Sequence, residues 1–234
     1  MIFDPMYILF LAPGMLFMLW AQRRVHGQFS RYRQVHNLAG LTGAQAARRI
    51  LDLHGLSDVT IERVPGHLTD HYDPRTRVIR LSPEVHDMAS IAAVGVAAHE
   101  AGHAIQHAQA YAPLKVRTAI VPVVNVGSSL GFFVLLLGLM IGSLPLGWLG
   151  VALFALATVF ALLTLPVEFD ATRRAKLALA QAGIVPAGAA SEDAAGVERV
   201  LGAAAWTYIA GFATSLLTLL YYVQLMLGLR ASEE

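Results

Sequence analysis

The sequence predicts a mainly α fold: a polytopic membrane protein of about four transmembrane helices, carrying a small α+β domain on one side of the bilayer. Three observations lead there. Hydrophobic residues make up 56% of the 234-residue chain and charged residues only 14%, with a mean hydropathy of +0.56, where an ordinary soluble domain carries about 25% charged residues. Four stretches are apolar over roughly the 20 residues that a helix needs to cross a bilayer. Finally, 16 of the 17 Lys and Arg residues fall in segments that share one side if all four stretches cross. Core helices of a soluble protein would not need lengths so close to the bilayer value.

The chain opens with an anchor over residues 1–20, apolar from about Phe3 to Trp20 and followed at once by Arg23 and Arg24. A signal peptide carries its positive charges before the apolar core rather than after it, so this segment reads as a retained span. Residues 21–117 form the polar domain. Within it, Thr42 and Gln45 match a capping box that opens a helix closing near Gly55. Val59–Val64 alternates like a strand and ends at a Pro65-Gly66 turn, and Asp73–Thr76 reads as a second turn leading into a short strand at Arg77–Leu81. Ser82-Pro83 offers a helix N-cap and a first-turn proline, and Ser90–Ala110 is Ala-rich and helical.

Residues 118–167 form a transmembrane hairpin, with spans at about Thr118–Ile141 and Leu146–Val167 joined by the short Gly142–Leu144 region. Pro166 is expected in or near the first turn of a new helix within residues 168–202, with a loop at Ala187–Ala195. A fourth span, about Ala203–Leu229, lies in residues 203–234. The positive-inside rule then assigns the basic side to the cytoplasm and both termini to the outside.

The chemistry sits in the Ala-rich helix. His99-Glu100-Ala101-Gly102-His103 fits H-E-x-x-H. Four residues is just over one helical turn, so both imidazoles project from one face and can grip a single Zn²⁺. Glu100 lies about a third of a turn round, where it suits a general base for an attacking water better than a third ligand. Histidines that merely satisfy interior hydrogen bonds are the bland alternative. It is costly here, because each buried polar group of an otherwise apolar helix would need its own partner.

A catalytic zinc wants three protein ligands. His107 extends the series by four, but it lies about 12 Å along the helix axis from His99 and cannot reach the same ion. The longer spacing that adds a glycine at 106 and a histidine at 109 fails, since both positions are glutamine. Glu168 is the better candidate for third ligand, with Asp170 a second choice. Two crossings separate His103 from Glu168, and an even number returns the chain to its starting side. A solvated carboxylate paired with Arg173 or Arg174 is the competing reading of Glu168, and the incomplete ligand set weighs against it. Tyr208 and Arg199 are candidate donors for a transition-state oxyanion, though an interfacial anchor is the commoner role for a tyrosine placed like Tyr208.

Other classes are disfavoured. The absence of cysteine removes disulfides, thiolate ligands and a thiol nucleophile, and a net charge of +1 carries no concentrated basic footprint for nucleic acid. His26, His36, His54 and His86 are scattered, and His67 and His71, though four apart, lie in no helical pattern. Oligomeric state is not legible.

Three runs together, His67–Ser82, Ser90–Gln106 and Leu165–Ala171, resemble the bacterial membrane-bound neutral zinc metallopeptidases over nearly the whole chain. More distantly the chain is similar to the CAAX prenyl proteases and the heat-shock protease X group. The resemblance implies a zincin-like cytoplasmic catalytic domain at the bacterial inner membrane, holding one catalytic zinc. It implies an endopeptidase acting on membrane-associated or misfolded polypeptides. It maps the third ligand onto Glu168 in Glu168-Phe-Asp-Ala171, with Thr172 standing where the relatives have Asp, so that Asp170 is the available substitute for their supporting carboxylate. It also implies that the strand at Arg77–Leu81 is an edge that pairs with extended substrate, with an ordinary core strand as the even alternative. Two rivals remain: a site-2-type intramembrane protease, and a non-catalytic membrane adaptor or chaperone with a zinc site.

Overall fold

A computed structural model describes residues 5–186 and 191–233. The chain is mainly helical with one small sheet. Its elements are α1 (Pro5–Tyr32), α2 (Gly43–Leu53), β1 (Thr60–Arg63), β2 (His71–Asp73), β3 (Val78–Leu81), α3 (Pro83–Asp87), α4 (Ile91–Ala108), α5 (Ala112–Met140), α6 (Leu144–Gln181) and α7 (Glu192–Glu233). Four of these, α1, α5, α6 and α7, are long and apolar enough to cross a bilayer. Residues 3–4 of the first expected span, and residues 187–190 of the expected loop, lie outside the described residues.

The chain divides into two compact units. The first comprises residues 1–21, 115–166 and 207–234. Small residues let its helices touch. A Cβ on Gly131 would meet Phe154 N at 2.6 Å, and one on Gly150 would meet Leu135 N at 2.3 Å, so α5 and α6 run backbone to backbone. Leu135, Val151 and Met226 form its buried cluster. Outward-facing side chains are large and apolar: Leu16, Val126, Phe133 and Met140 are all more than half exposed, as a lipid-facing surface requires.

The second unit comprises residues 22–114 and 167–206. Its core gathers Phe29, Ile50, Leu51, Ile79, Leu81, Ile91, Val94, Leu179 and Ile184. Helix α2 starts where its sequence says it should: the Thr42 side chain accepts from Gln45 N, and the Gln45 side chain accepts from Thr42 N. After α2, Arg48 donates to Asp52, Leu56 O and Val59 O and so fixes the chain into β1. Pro83 opens α3, but the Ser82 hydroxyl does not cap it; it donates to Asp70 instead.

The sheet has the order β1-β3-β2, with β1 parallel and β2 antiparallel to β3. Strand β3 is therefore central. This corrects the expectation that Arg77–Leu81 is an edge: β1 and β2 occupy its two sides, and the open edge beside the α4 helix belongs to β2. The β2–β3 turn is made by Asp73, whose carboxylate accepts from Arg75 N and the Thr76 hydroxyl. Those donors, the Arg75 N–H first, hold its pKa down to about 2.

Two helix boundaries also differ from expectation. Pro166 starts no new helix, because α6 runs unbroken from Leu144 to Gln181. A proline inside a long apolar helix costs one backbone hydrogen bond, which neighbouring groups can offset. Glu192–Ala195, expected as loop, is already the first turn of α7, with the Ser191 hydroxyl accepting from Ala194 N.

Candidate metal centre

Two helices of the second unit build the centre. Helix α4 supplies His99, Glu100 and His103. Its N-terminus is fixed by the Ser90 side chain, which accepts from Ala93 N, and most of its residues are buried, Glu100 and His103 among them. Helix α6 supplies Glu168. The two helices meet without a spacer at Gly102: a Cβ there would lie 2.6 Å from Ala171 O. Glycine inside H-E-x-x-H is thus what lets α6 come close enough for a carboxylate to face the imidazoles.

His99, His103 and Glu168 each offer one ligand atom, and these atoms lie within 4.8 Å of one another. Glu168 Oε2 is 3.3 Å from His99 Nε2 and 3.4 Å from His103 Nε2. The rings meet edge to face, with centroids 4.8 Å apart. The side chains are 12%, 11% and 3% exposed, in the order His99, His103, Glu168. Those separations test whether zinc fits. A charge-assisted hydrogen bond between imidazolium and carboxylate closes to about 2.7–2.9 Å. Ligands at about 2.0–2.1 Å from a tetrahedral ion stand about 3.3–3.4 Å apart. The two contacts of Glu168 Oε2 have that spacing, and all three atoms lie within 4.8 Å of one another.

Electrostatics point the same way. Burial by itself pushes the His103 imidazole toward its neutral form, but the Glu168 hydrogen bond and the charges of Glu168 and Glu100 outweigh it and raise its pKa above the usual value. The neighbouring carboxylates therefore favour positive charge at His103. Near the same charges, Asp70 accepts from Ser82 N at 2.7 Å, and burial pushes its pKa up.

The backs of both rings are engaged. His103 Nδ1 faces Gln106 Oε1 at 3.0 Å, and His99 Nδ1 faces Thr172 Oγ1 at 3.3 Å. Gln106 in turn donates to Val167 O and to Asp170 Oδ2, each at 2.9 Å. Asp170, the second choice for a ligand, stands outside the three-residue group and accepts from Arg173 and Arg174 as well. His107 points elsewhere, its Nδ1 2.8 Å from the Tyr72 hydroxyl, while Arg199 donates to the Tyr32 hydroxyl and Tyr208 lies on α7 in the other unit. Sequence reasoning missed the roles of Gln106 and Thr172. The available signal was a glutamine one turn beyond a ligand candidate in an otherwise apolar helix.

Residues 7–227 match the family described as "Putative neutral zinc metallopeptidase". The chain belongs to that family. A relative from Bacillus subtilis (strain 168), named "Putative membrane protease YugP", is 47% identical over 209 residues, 89% of this chain and 91% of the relative. No solved structure matches. Membership of this zinc metallopeptidase family, together with four helices apolar enough for a bilayer, supports a membrane-bound peptidase with polypeptide substrates, and the donor set above is one that zinc would fit.

Proposed function

We propose that this metallopeptidase is a zinc-dependent endopeptidase of the bacterial inner membrane. Its ligands are His99, His103 and Glu168, its general base is Glu100, and its site works on the cytoplasmic side with both termini outside. The observation that carries the reading is the position of Glu168 Oε2, almost equally far from the two Nε2 atoms. The side assignment is supported by the 16 basic residues that share it.

Zinc, when bound, supplies Lewis acidity to a water molecule and to a substrate carbonyl. The chain does the rest. His99 and His103 present neutral nitrogens and Glu168 one negative oxygen. Glu100, next to His99 and 7% exposed, takes the proton of the attacking water on a carboxylate oxygen and delivers it to the departing amine. The hydrogen bonds that hold the two rings do not engage Glu100, which leaves its carboxylate for that task. An extended polypeptide has the β2 edge, packed against α4, as its pairing surface. Membrane-associated or misfolded proteins supply such unpaired backbone. Helix α4 is not among the helices suited to a bilayer, which favours this reading over an intramembrane protease whose zinc helix is itself a span.

Glu100→Gln is the test. Zinc stoichiometry should stay at one per chain while cleavage of an unfolded polypeptide falls by about 10²–10⁴-fold. Chelation should remove the wild-type activity and added zinc restore it. Cleavage by Glu100→Gln at the wild-type rate, or wild-type protein purified without stoichiometric zinc, would overturn the reading.

A further inference from the structure

The two histidines are not held alike. Thr172 presents a hydroxyl to His99, and a hydroxyl both donates and accepts, so it leaves the tautomer of that ring open. Gln106 is different. It is fully buried, and its Nε2 faces Val167 O and Asp170 Oδ2. A backbone carbonyl and a carboxylate are acceptors only. They fix the amide the one way round, with N–H groups toward α6 and Oε1 toward His103. An amide oxygen can only accept, so Gln106 favours the hydrogen on His103 Nδ1 against the pull of the Glu168 carboxylate on Nε2, and in that neutral tautomer Nε2 is the bare lone pair facing Glu168.

We propose that Gln106 is the positioning residue of the centre: anchored by Val167 O and Asp170, it locks His103 in the Nδ1–H tautomer and aims Nε2 at the metal. Asp170 serves one bond further out. Its carboxylate joins Gln106 on α4 to Arg173 and Arg174 on α6, and Arg174 reaches back to Gln109 and over the Tyr111 ring. A supporting carboxylate thus acts on the second histidine through an amide, while the first histidine has only a hydroxyl. This inference rests on the zinc reading for its purpose, though not for the tautomer itself.

The test uses the full chain in detergent or nanodiscs, with ¹⁵N-histidine labelling of the metal-free protein in alkaline buffer, where imidazoles are neutral, and zinc affinity by chelator competition. Wild type should show His103 protonated at Nδ1. Gln106→Met, close in size but apolar, should lose that preference and weaken zinc about 10–100-fold, with an altered visible spectrum of the Co²⁺-substituted protein. Gln106→Glu still offers an acceptor to Nδ1–H, and its protonated oxygen can donate to Asp170 or Val167 O in place of the amide; it should restore the tautomer and part of the affinity, which a purely structural role would not predict. If Gln106→Met does not fold, the wild-type and Gln106→Glu tautomers decide. His103 protonated at Nε2 in wild type overturns the proposal, as does a folded Gln106→Met with unchanged tautomer and affinity. Wild type that keeps the Nδ1–H ring but binds no zinc instead overturns the metallopeptidase reading and leaves the tautomer assignment standing.

Discussion

In the helix-bundle unit, several hydroxyls turn back on their own helix, Ser128 to Val124 O, Thr164 to Phe160 O and Thr218 to Thr214 O. In the metal-centre unit, polar side chains reach far along the chain: Gln106 bonds residues 61 and 64 positions away. The first unit also ties helices together, Thr158 to Ser215 and Thr214 to Gly14 O, but it rests mainly on apolar side chains and close glycine contacts. The second brings together imidazoles and carboxylates that no single helix can satisfy, so its specificity lies in partners between helices. Where apolar contact suffices, a cross-helix bond is an isolated pair; where chemistry is placed, such bonds join into a network.

The largest effect that could break this comparison is loss of the proposed inter-helix ligand, Glu168. Glu168→Ala should abolish stoichiometric zinc and with it detectable proteolysis, measured by metal analysis and a cleavage assay, while the bundle unit keeps its helicity by circular dichroism. Retained zinc would mean that the two histidines need no carboxylate from α6.

Glycine contacts sharpen the comparison at intermediate size. Gly102→Ala forces a methyl against Ala171 O and should cost about 1–3 kcal/mol of overpacking, read as a lower melting temperature together with weaker zinc binding. Gly131→Ala meets Phe154 N in the same way but should lower only the melting temperature, leaving zinc affinity per folded molecule unchanged. Equal zinc loss in both variants would show that the bundle glycines also set the ligand geometry.

The smallest effect concerns a bond that is local even in the second unit. Because the folded pKa of Asp73 is depressed, its contribution to stability is full above the ordinary aspartate value and fades as pH falls toward about 2. Asp73→Asn should therefore lower the melting temperature slightly near neutral pH, and the gap to wild type should narrow through that acid range. A gap that is constant with pH would assign the turn's stability to something other than the carboxylate.

What the sequence made legible divides along the same line. The capping box at Thr42 and Gln45 and the four apolar helices depend on neighbours a few residues away and can be read from spacing, whereas the N-cap expected at Ser82 fails because its hydroxyl turns to Asp70. Glu168 was reachable by counting crossings and from its family resemblance. Strand β2 was not, because three residues without alternation become a strand only through pairing with β3. The continuity of α6 through Pro166 defeats the local rule that proline starts or ends a helix. Gln106 stood in plain view as a polar residue, but its role depends on two acceptors on another helix, which no window of sequence contains.

Thr172 has one more consequence, in formal charge. With a zinc ion in place, the dication meets one negative charge from Glu168 and one from Glu100, while the hydroxyl behind His99 adds none and Asp170 is answered by Arg173 and Arg174. An aspartate at position 172 would add a negative charge behind the first histidine, which would make His99 a stronger electron donor to a bound metal ion and that ion a weaker attractor of electron-rich carbonyls.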